Sequence, residues 1–214
     1  FQGVNVIYNK SNLEKTLGEV ISSAGLSQLR IAETEKYPHV TFFFNGGKED
    51  AEILEDRYMP ESPKVETYDI APEMAATEIT KKVLDGLNLK YSFILANYAN
   101  PDMVGHTGNL KATIKACETI DLELEKIIKK LKVSNGIMLI ISDHGNCEKM
   151  INSETRQPHT AHTLNLVPAI LVGYESEITL RDGRLSDIAP TILDLMNLPK
   201  PSEMTGKTLI IQDH

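Results

Sequence analysis

The sequence has very little cysteine: Cys117 and Cys147 are the only two among 214 residues. They are far apart in the chain and form no CxxC spacing, so they indicate neither a structural zinc site nor a redox motif of that type. At most one disulfide can form between them. A chain so poor in cysteine is most simply placed in a reducing compartment, and we expect a cytoplasmic location.

Long apolar runs are also missing. No apolar stretch approaches the roughly 18 residues that indicate a transmembrane helix, and no leader with a charged and then an apolar segment is visible. We therefore expect neither a membrane span nor a secretory signal. The chain begins with Phe1 rather than methionine, so we expect a processed, cleaved or truncated product.

The chain has fewer basic than acidic residues. The 22 lysine and arginine residues are outnumbered by 30 aspartate and glutamate residues, which gives a formal net charge of −8. The basic residues are dispersed rather than gathered in a stripe, so nucleic acid and anionic membranes are not expected partners. The length fits one large domain or two small ones, and we expect one incomplete domain.

What is present is an alternation of short apolar runs with longer amphipathic segments. The runs predict strands at 3–8, 28–32, 40–44, 91–99, 137–141 and 167–172, and the segments predict helices at 13–24, 72–88, 109–131 and 187–198. Residues 48–63 and 200–214 are predicted to be irregular. The order of strand, helix and strand across 91–141 indicates a right-handed parallel crossover. We therefore predict an α/β fold with a mostly parallel sheet and helices on both faces.

Three stretches rich in aspartate and histidine lie next to predicted strands. Asp102 and His106 follow the strand at 91–99, Asp143 and His144 follow the strand at 137–141, and the stretch 157–163 precedes the strand at 167–172. Proline and glycine around Asp102 and His106 predict a strand-to-helix loop rather than a helix there. Ligand-binding loops gather at the carboxyl ends of parallel strands, so we expect the first two pairs to meet in one crevice.

The mixture of imidazole and carboxylate favours a borderline divalent cation such as Mn²⁺, Zn²⁺ or Fe²⁺, whereas an all-oxygen set would favour Ca²⁺ or Mg²⁺. A single histidine or aspartate is more often an ordinary surface or core residue. Because three such clusters lie next to predicted strands, a metal site is the favoured interpretation of these residues. The residues alone therefore indicate metal-assisted phosphoryl or sulfuryl transfer.

Six stretches carry a resemblance to a known family: 32–37, 41–47, 99–108, 142–146, 157–163 and 180–183. In order and without large gaps, they closely resemble the cofactor-independent phosphoglycerate mutases of the alkaline phosphatase superfamily. The resemblance implies an alkaline phosphatase-like fold that is incomplete in this chain. It assigns residues 1–12 to the end of an inserted phosphotransferase domain and its linker, and residues 13–214 to the C-terminal part of the phosphatase-like, metal-binding domain.

The resemblance also implies a role for individual residues. Asp102, His106 and His162 match the ligands of one Mn²⁺, Asp143 and His144 match ligands of a second, and Lys36 matches a lysine that contacts the phosphoryl group or the substrate. His159 lies close to this set but receives no role. The family's serine nucleophile, an early aspartate ligand and an arginine-rich substrate loop have no counterpart here. We therefore expect one complete and one incomplete metal site.

The implied activity is the interconversion of 3-phosphoglycerate and 2-phosphoglycerate in glycolysis and gluconeogenesis, through a phosphoserine. Two Mn²⁺ ions would serve it, with Zn²⁺, Co²⁺ or Fe²⁺ as substitutes and no need for 2,3-bisphosphoglycerate. The expected partner is the small-molecule substrate alone, and the intact enzyme is expected to be a monomer. One alternative is another member of the superfamily, a phosphopentomutase or a phosphodiesterase, although 33–37 and 42–47 match the mutase better. The other is a non-catalytic fragment with a structural metal.

Overall fold

The computed structural model describes residues 13–173 and 178–211. The helices are α1 (Leu17–Ser23), α2 (Tyr37–Val40), α3 (Ala76–Asn88), α4 (Asn100–Gly105), α5 (Leu110–Ser134) and α6 (Ile188–Leu195). The strands are β1 (Gln28–Ala32), β2 (Glu55–Tyr58), β3 (Phe93–Asn97), β4 (Met138–Ile141), β5 (Ala169–Val172), β6 (Thr179–Leu180) and β7 (Ile210–Ile211). The strand predicted at 3–8 and the domain boundary predicted after residue 12 lie outside the described residues.

The centre of the fold is a three-stranded parallel sheet in the order β2, β1, β3. Gln28 at the start of β1 is aligned with Glu55 of β2 on one side and with Phe93 of β3 on the other. All five residues of β1 are buried. A strand with parallel neighbours on both sides and helices over both faces has this pattern of burial.

Helices cover both faces of the sheet. On one face, apolar side chains of β1 pack against α3 and α5 in a cluster of six buried residues: Leu29, Ile31, Ile79, Val83, Ile127 and Leu131. On the other face, Phe93 of β3 packs into a second cluster formed by Leu17 and Ile21 of α1 and Leu193 of α6. The prediction of an α/β fold with a parallel sheet is therefore confirmed.

Two of the helices begin or end at residues that satisfy their free backbone groups. Thr16 and Glu19 form a capping box at the start of α1, so this helix begins later than the predicted residue 13. Asn109 caps α5 by accepting a hydrogen bond from a backbone N–H, and α5 ends at Asn135, whose φ of 51° is left-handed. No helix among the described residues is long and apolar enough to cross a membrane.

The strand predicted at 40–44 is wrong. Val40 ends α2, and the following residues form helical turns in which Asn45 N–H donates to the Thr41 carbonyl at 2.8 Å. Thr41 Oγ1 also donates to the Tyr37 carbonyl at 2.8 Å. Of the aromatic residues that suggested a strand, Phe44 is used for packing instead: its ring lies 4.2 Å from the guanidinium of the buried Arg30. Tertiary packing overrides β-propensity here.

Two strands lie in stretches predicted to be irregular. β2 falls within 48–63 and pairs with β1, although its sequence is largely charged. Among the described strands it lies at the edge of its sheet, a position where charged side chains are common because one side has no strand neighbour. In the tail after residue 200, β7 pairs antiparallel with β6. Neither strand has the alternation of apolar and polar residues from which strands are predicted in a sequence.

The predicted strands at 137–141 and 167–172 are present as β4 and β5, but they pair antiparallel with each other. Among the described strands, β4 is not hydrogen-bonded to β3. The two strands joined by the predicted crossover therefore do not pair with each other. An apolar run specifies that a segment is buried and extended, and it does not specify its partner or direction. The link from β3 to β4 through α5 is nevertheless the predicted one.

The sheet and helix α3 depend on Ile79, which is completely buried. We predict that Ile79→Ala lowers the free energy of unfolding by about 2–5 kcal/mol, because the substitution removes buried methyl groups and leaves a cavity. The matched control is Ile114→Ala on α5, where the side chain is 50% exposed and the loss should be within about 1 kcal/mol. Urea unfolding followed by circular dichroism measures both, and equal losses would contradict this account of the core.

Candidate metal centre

Asp102 and His106 lie on a short helix rather than in the predicted loop. Helix α4 includes Asp102 in its first turn, and His106 is the residue at its C-terminal cap. Pro101 is compatible with this position because the first turn of a helix needs no N–H donor. Residues four apart on a helix project from the same side. The helical turn, and not a loop, therefore brings the Asp102 carboxylate and the His106 imidazole together.

Three potential ligand atoms converge at this point. Those of Asp102, His106 and His162 all lie within 4.8 Å of one another. The Nε2 atom of His162 is 2.9 Å from Asp102 Oδ1, and the Nε2 atom of His106 is 3.1 Å from the same oxygen. The two imidazole Nε2 atoms are 3.0 Å apart. Within the described ranges, this is the group of three histidine or carboxylate ligands that could hold a metal ion.

The hydrogen bond on the far side of His106 fits a metal ligand. Its Nδ1 atom lies 2.7 Å from the carbonyl oxygen of Thr160. A carbonyl oxygen can only accept, so Nδ1 carries the proton and the lone pair of a neutral ring is on Nε2. That lone pair is directed at Asp102 and His162. Metal-bound histidines are oriented in this way by a hydrogen bond from the second ring nitrogen.

Asp102 is held in its ionised form by neighbours from two other parts of the chain. Lys36 forms an ion pair with Asp102 Oδ2, and the side-chain amide of Asn146 donates to Oδ1 at 2.6 Å. Burial alone would raise the pKa of this carboxyl, but the hydrogen bonds from Lys36 and Asn146 outweigh burial and lower the pKa to about 2. The group is therefore a carboxylate over the whole neutral range, as a metal ligand must be.

Asp143 and His144 lie beside this group, as the sequence predicted. The His144 ring stacks on the His162 ring, with centroids 3.7 Å apart and planes inclined at 22°. His144 Nε2 is 3.5 Å from Asp143 Oδ2, and its Nδ1 atom is buried without a hydrogen-bond partner. The pair offers a carboxylate and an imidazole, but no third ligand joins them among the described residues.

Two other residues singled out in the sequence have separate positions. Lys36 ends a 3₁₀ turn, Thr34–Lys36, that follows β1, and the parallel pairing of β1 with β3 places it next to α4. His159 is outside the convergent group. Its backbone N–H donates to the Met150 carbonyl at 2.9 Å, and its ring Nδ1 is buried without a partner.

Sequence reasoning missed Asn146, which supports the site through its side chain. Its amide also contacts the Asp102 carbonyl at 3.2 Å, and its backbone N–H donates to Glu148 at 2.6 Å. Glu148 in turn accepts hydrogen bonds from Thr163 and Asn165. The fit is close, since a Cβ added to Gly105 would lie 2.5 Å from Asn146 Oδ1. The only signal in the sequence was the position of Asn146 directly after Asp143-His144-Gly145.

His39 is a second neighbour that sequence reasoning missed. Burial and the cationic Lys36 lower the pKa of its imidazole, whereas the carboxylates of Asp143 and Asp102 act in the opposite direction. These charged groups lie near enough to His39 to influence the pKa of its imidazole. The signal available in the sequence was the position of His39, three residues after Lys36. Lys36 ends the 3₁₀ turn, and His39 lies in the helix α2 that follows it.

Comparison with known proteins agrees with this geometry. A family model described as the metalloenzyme superfamily matches residues 5–200. The 2,3-bisphosphoglycerate-independent phosphoglycerate mutase of Ruegeria pomeroyi is 59% identical over 207 residues, which are 97% of this chain and 41% of that protein. The enzyme of the same name from Agrobacterium fabrum is 56% identical over 203 residues, which are 95% of this chain and 40% of that protein.

A solved structure is also similar. The phosphoglycerate mutase of Leishmania mexicana, determined at low cobalt concentration, superimposes with a TM-score of 0.85 at 28% identity, over 92% of this chain and 39% of that one. The chain thus spans about two fifths of the length of the relatives it matches. With a family match over most of its residues and a convergent ligand group at the ends of its strands, the chain belongs to the metalloenzyme superfamily.

Proposed function

We propose that this chain is the C-terminal, metal-binding part of a 2,3-bisphosphoglycerate-independent phosphoglycerate mutase that interconverts 3-phosphoglycerate and 2-phosphoglycerate. The observation that carries the proposal is the convergence of Asp102, His106 and His162 within 4.8 Å, with the ammonium group of Lys36 on the same carboxylate. The 59% identity to a mutase of that name supports the choice of reaction. A glycolytic role and a cytoplasmic location belong to the same proposal.

The domain division that the sequence resemblance implies is part of the same proposal. Residues 13–214 form the C-terminal part of a phosphatase-like domain, and residues 1–12 form the end of an inserted phosphotransferase domain and its linker. In support, the two buried clusters on the faces of the parallel sheet combine helices from α1 to α6. The parallel sheet and the helices packed on its two faces therefore share buried clusters, as expected of one domain.

Asp102, His106 and His162 are the proposed ligands of one Mn²⁺, with Zn²⁺, Co²⁺ or Fe²⁺ as substitutes. One carboxylate oxygen and two imidazole nitrogens suit these cations, and the hydrogen bond from His106 Nδ1 to the Thr160 carbonyl already orients one ring. Asp143 and His144 are the proposed ligands of a second cation. Their site lacks a third ligand among the described residues, so it requires ligands from the rest of the enzyme.

The chemistry of phosphoryl transfer explains this set of residues. Two bound divalent cations supply positive charge that stabilises the transferred phosphoryl group and activates a hydroxyl nucleophile. Lys36 places a further positive charge beside the ligand group, where it can contact a phosphoryl oxygen. Asn146 keeps the Asp102 carboxylate oriented. The small-molecule phosphoglycerate is the proposed partner, and the intact enzyme is proposed to act as a monomer.

We predict that the chain binds Mn²⁺ and that His162→Ala weakens the affinity by more than about 100-fold, because a direct ligand contributes more than the 10–100-fold typical of an orienting residue. Isothermal titration of both proteins with MnCl₂ measures the difference. Affinity should also fall as the pH is lowered, since protons compete with the metal for imidazole nitrogens.

The matched control for this titration is His159→Ala. His159 lies three residues from His162 and is outside the ligand group, so its removal should change the affinity by less than about threefold. If His162→Ala binds Mn²⁺ as tightly as the unaltered chain, or if the two alanine variants lose affinity equally, the ligand assignment is wrong.

We predict that the 214-residue chain has no mutase activity by itself. The proposed reaction needs a serine nucleophile and substrate-binding arginines, and the family motifs that carry them have no counterpart in the sequence. A coupled assay of 3-phosphoglycerate turnover on highly purified chain, with and without Mn²⁺, measures this. The control is the full-length enzyme at the same concentration, and turnover by the chain alone would refute the assignment of the missing groups.

Inactivity combined with Mn²⁺ binding also fits the second candidate, a non-catalytic metal-binding fragment. Activity of the full-length enzyme separates the two candidates.

For the full-length enzyme that contains this chain, we predict turnover without added 2,3-bisphosphoglycerate, loss of activity on chelation, and recovery on addition of Mn²⁺. Replacing Asp143 or His144 by alanine should reduce kcat by orders of magnitude, because the second cation depends on them. Cys147→Ala should have little effect under reducing conditions. Steady-state assays before and after chelation measure all of these. Strict dependence on 2,3-bisphosphoglycerate, or full activity after metal removal, would show that the mechanism is different.

A further inference from the structure

The fold brings the two cysteines of the chain together. Cys117 lies on an exposed position of α5, and Cys147 lies in a turn three residues after His144. Their sulfur atoms are 3.9 Å apart, within the range of a weak S–H···S hydrogen bond. Neither cysteine belongs to the ligand group of the metal centre. Nothing in the proposed mutase reaction uses them.

The geometry is close to that needed for a covalent bond. A disulfide has a sulfur–sulfur distance of about 2.05 Å, so the two sulfur atoms need to approach by only about 2 Å. Cys117 is held by a helix of 25 residues, Leu110–Ser134. Cys147 is in a turn outside regular structure, so the turn is the part that can move. The exposed position of Cys117 leaves room for a small oxidant to reach the pair.

We propose that Cys117 and Cys147 form a redox-active dithiol that hydrogen peroxide converts into an intramolecular disulfide, and that closure of the disulfide displaces the turn that positions Asp102 and so weakens metal binding. The part concerning the metal rests on the proposed function. The formation of the disulfide does not.

The electrostatics of the pair support Cys117 as the reacting group. The hydrogen bond from Cys147 lowers the pKa of the Cys117 thiol to about 7, although burial acts in the opposite direction. The same hydrogen bond and burial raise the pKa of Cys147. Both shifts favour Cys117 as the thiol that loses its proton first. The thiolate, and not the thiol, is the nucleophile towards peroxide.

The oxidation is balanced in two steps. The Cys117 thiolate attacks one oxygen of hydrogen peroxide, the O–O bond breaks, and the products are a sulfenic acid and hydroxide, which takes up a proton to become water. Cys147 then loses its proton and attacks the Cys117 sulfur, and the S–O bond breaks with the release of a second water. The sum is two thiols and one peroxide giving one disulfide and two waters. Thiol–disulfide exchange with a reduced dithiol reverses it.

The turn at Cys147 is directly connected to the metal centre. The preceding residue, Asn146, donates to Asp102 Oδ1 at 2.6 Å and to the Asp102 carbonyl at 3.2 Å. The following residue, Glu148, accepts from Asn146 N–H at 2.6 Å and from Thr163, the neighbour of His162. A movement of Cys147 towards α5 therefore disturbs the contacts of Asn146 with Asp102 and, through Glu148, the contact with the residue next to His162. Loss of such supporting contacts typically weakens metal binding by about 10–100-fold.

The disulfide is tested by treating the fully reduced 214-residue chain with hydrogen peroxide at low protein concentration. Intact-mass analysis should show loss of two hydrogen atoms, and a non-reducing peptide map should contain a Cys117–Cys147 cross-linked peptide that dithiothreitol removes. The Cys117→Ser and Cys147→Ser variants should yield no such peptide. A disulfide-linked dimer as the main product, or sulfenic and sulfinic acids without the cross-link, would overturn the proposal.

The coupling is tested by titrating the reduced and oxidised forms with MnCl₂. We expect the oxidised form to bind about 10-fold more weakly or worse, with full recovery after dithiothreitol, while Cys117→Ser binds equally well before and after peroxide. Equal affinities of the two forms would overturn the coupling. Failure of the reduced chain to bind Mn²⁺ would contradict the proposed function and with it the coupling, whereas the cross-linked peptide decides the disulfide independently of the metal.

Discussion

The carboxylate of Asp102 is the group on which the site depends. It is contacted by Lys36, which follows β1, by Asn146, which follows β4, and by His162, from the stretch that precedes β5. These contacts are possible because β1 and β3 are parallel neighbours, with Ala32 aligned with Asn97 at their carboxyl ends. An antiparallel pair would place the residues that follow the two strands at opposite edges of the sheet. The parallel direction of β1 and β3 is therefore needed to bring Lys36 and Asp102 together in the site.

The same contacts set the charge balance of the site. In the folded chain the pKa of Asp102 is about 2, below its ordinary value of 3.8, so folding favours the ionised form. Its contribution to stability is present above the ordinary pKa of 3.8 and is lost as the pH falls through about 2. Lys36 and Asp102 keep some exposure to solvent, which keeps this contribution modest. Lys36 supplies the positive charge opposite the carboxylate.

Part of the site could be predicted from the sequence because its ligands directly follow or precede apolar runs. The runs at 91–99, 137–141 and 167–172 were recognised, and the carboxyl ends of strands are where such residues meet. The residues and the backbone turn that hold the ligands in place could not be predicted. Asn146 contributes through a side-chain amide whose partner depends on the path of a turn, and the helical turn at Asp102 was hidden by proline and glycine. β2 and the segment 40–44 were misread because packing against Arg30 and β1 overrides local propensity there.

The position of the two cysteines follows from the same architecture. α5 packs on α4, which carries Asp102, and the chain returns from α5 through β4 to the turn that holds Asn146. Any residue on the first half of α5 that faces this turn is therefore near the support of the ligand carboxylate. Cys117 occupies such a position, and its partner is the residue after Asn146. A change in the bonding of that pair acts on the metal centre through the supporting contacts of Asn146 and Glu148, so the effect on metal affinity is expected to be graded and reversible rather than an unfolding of the site.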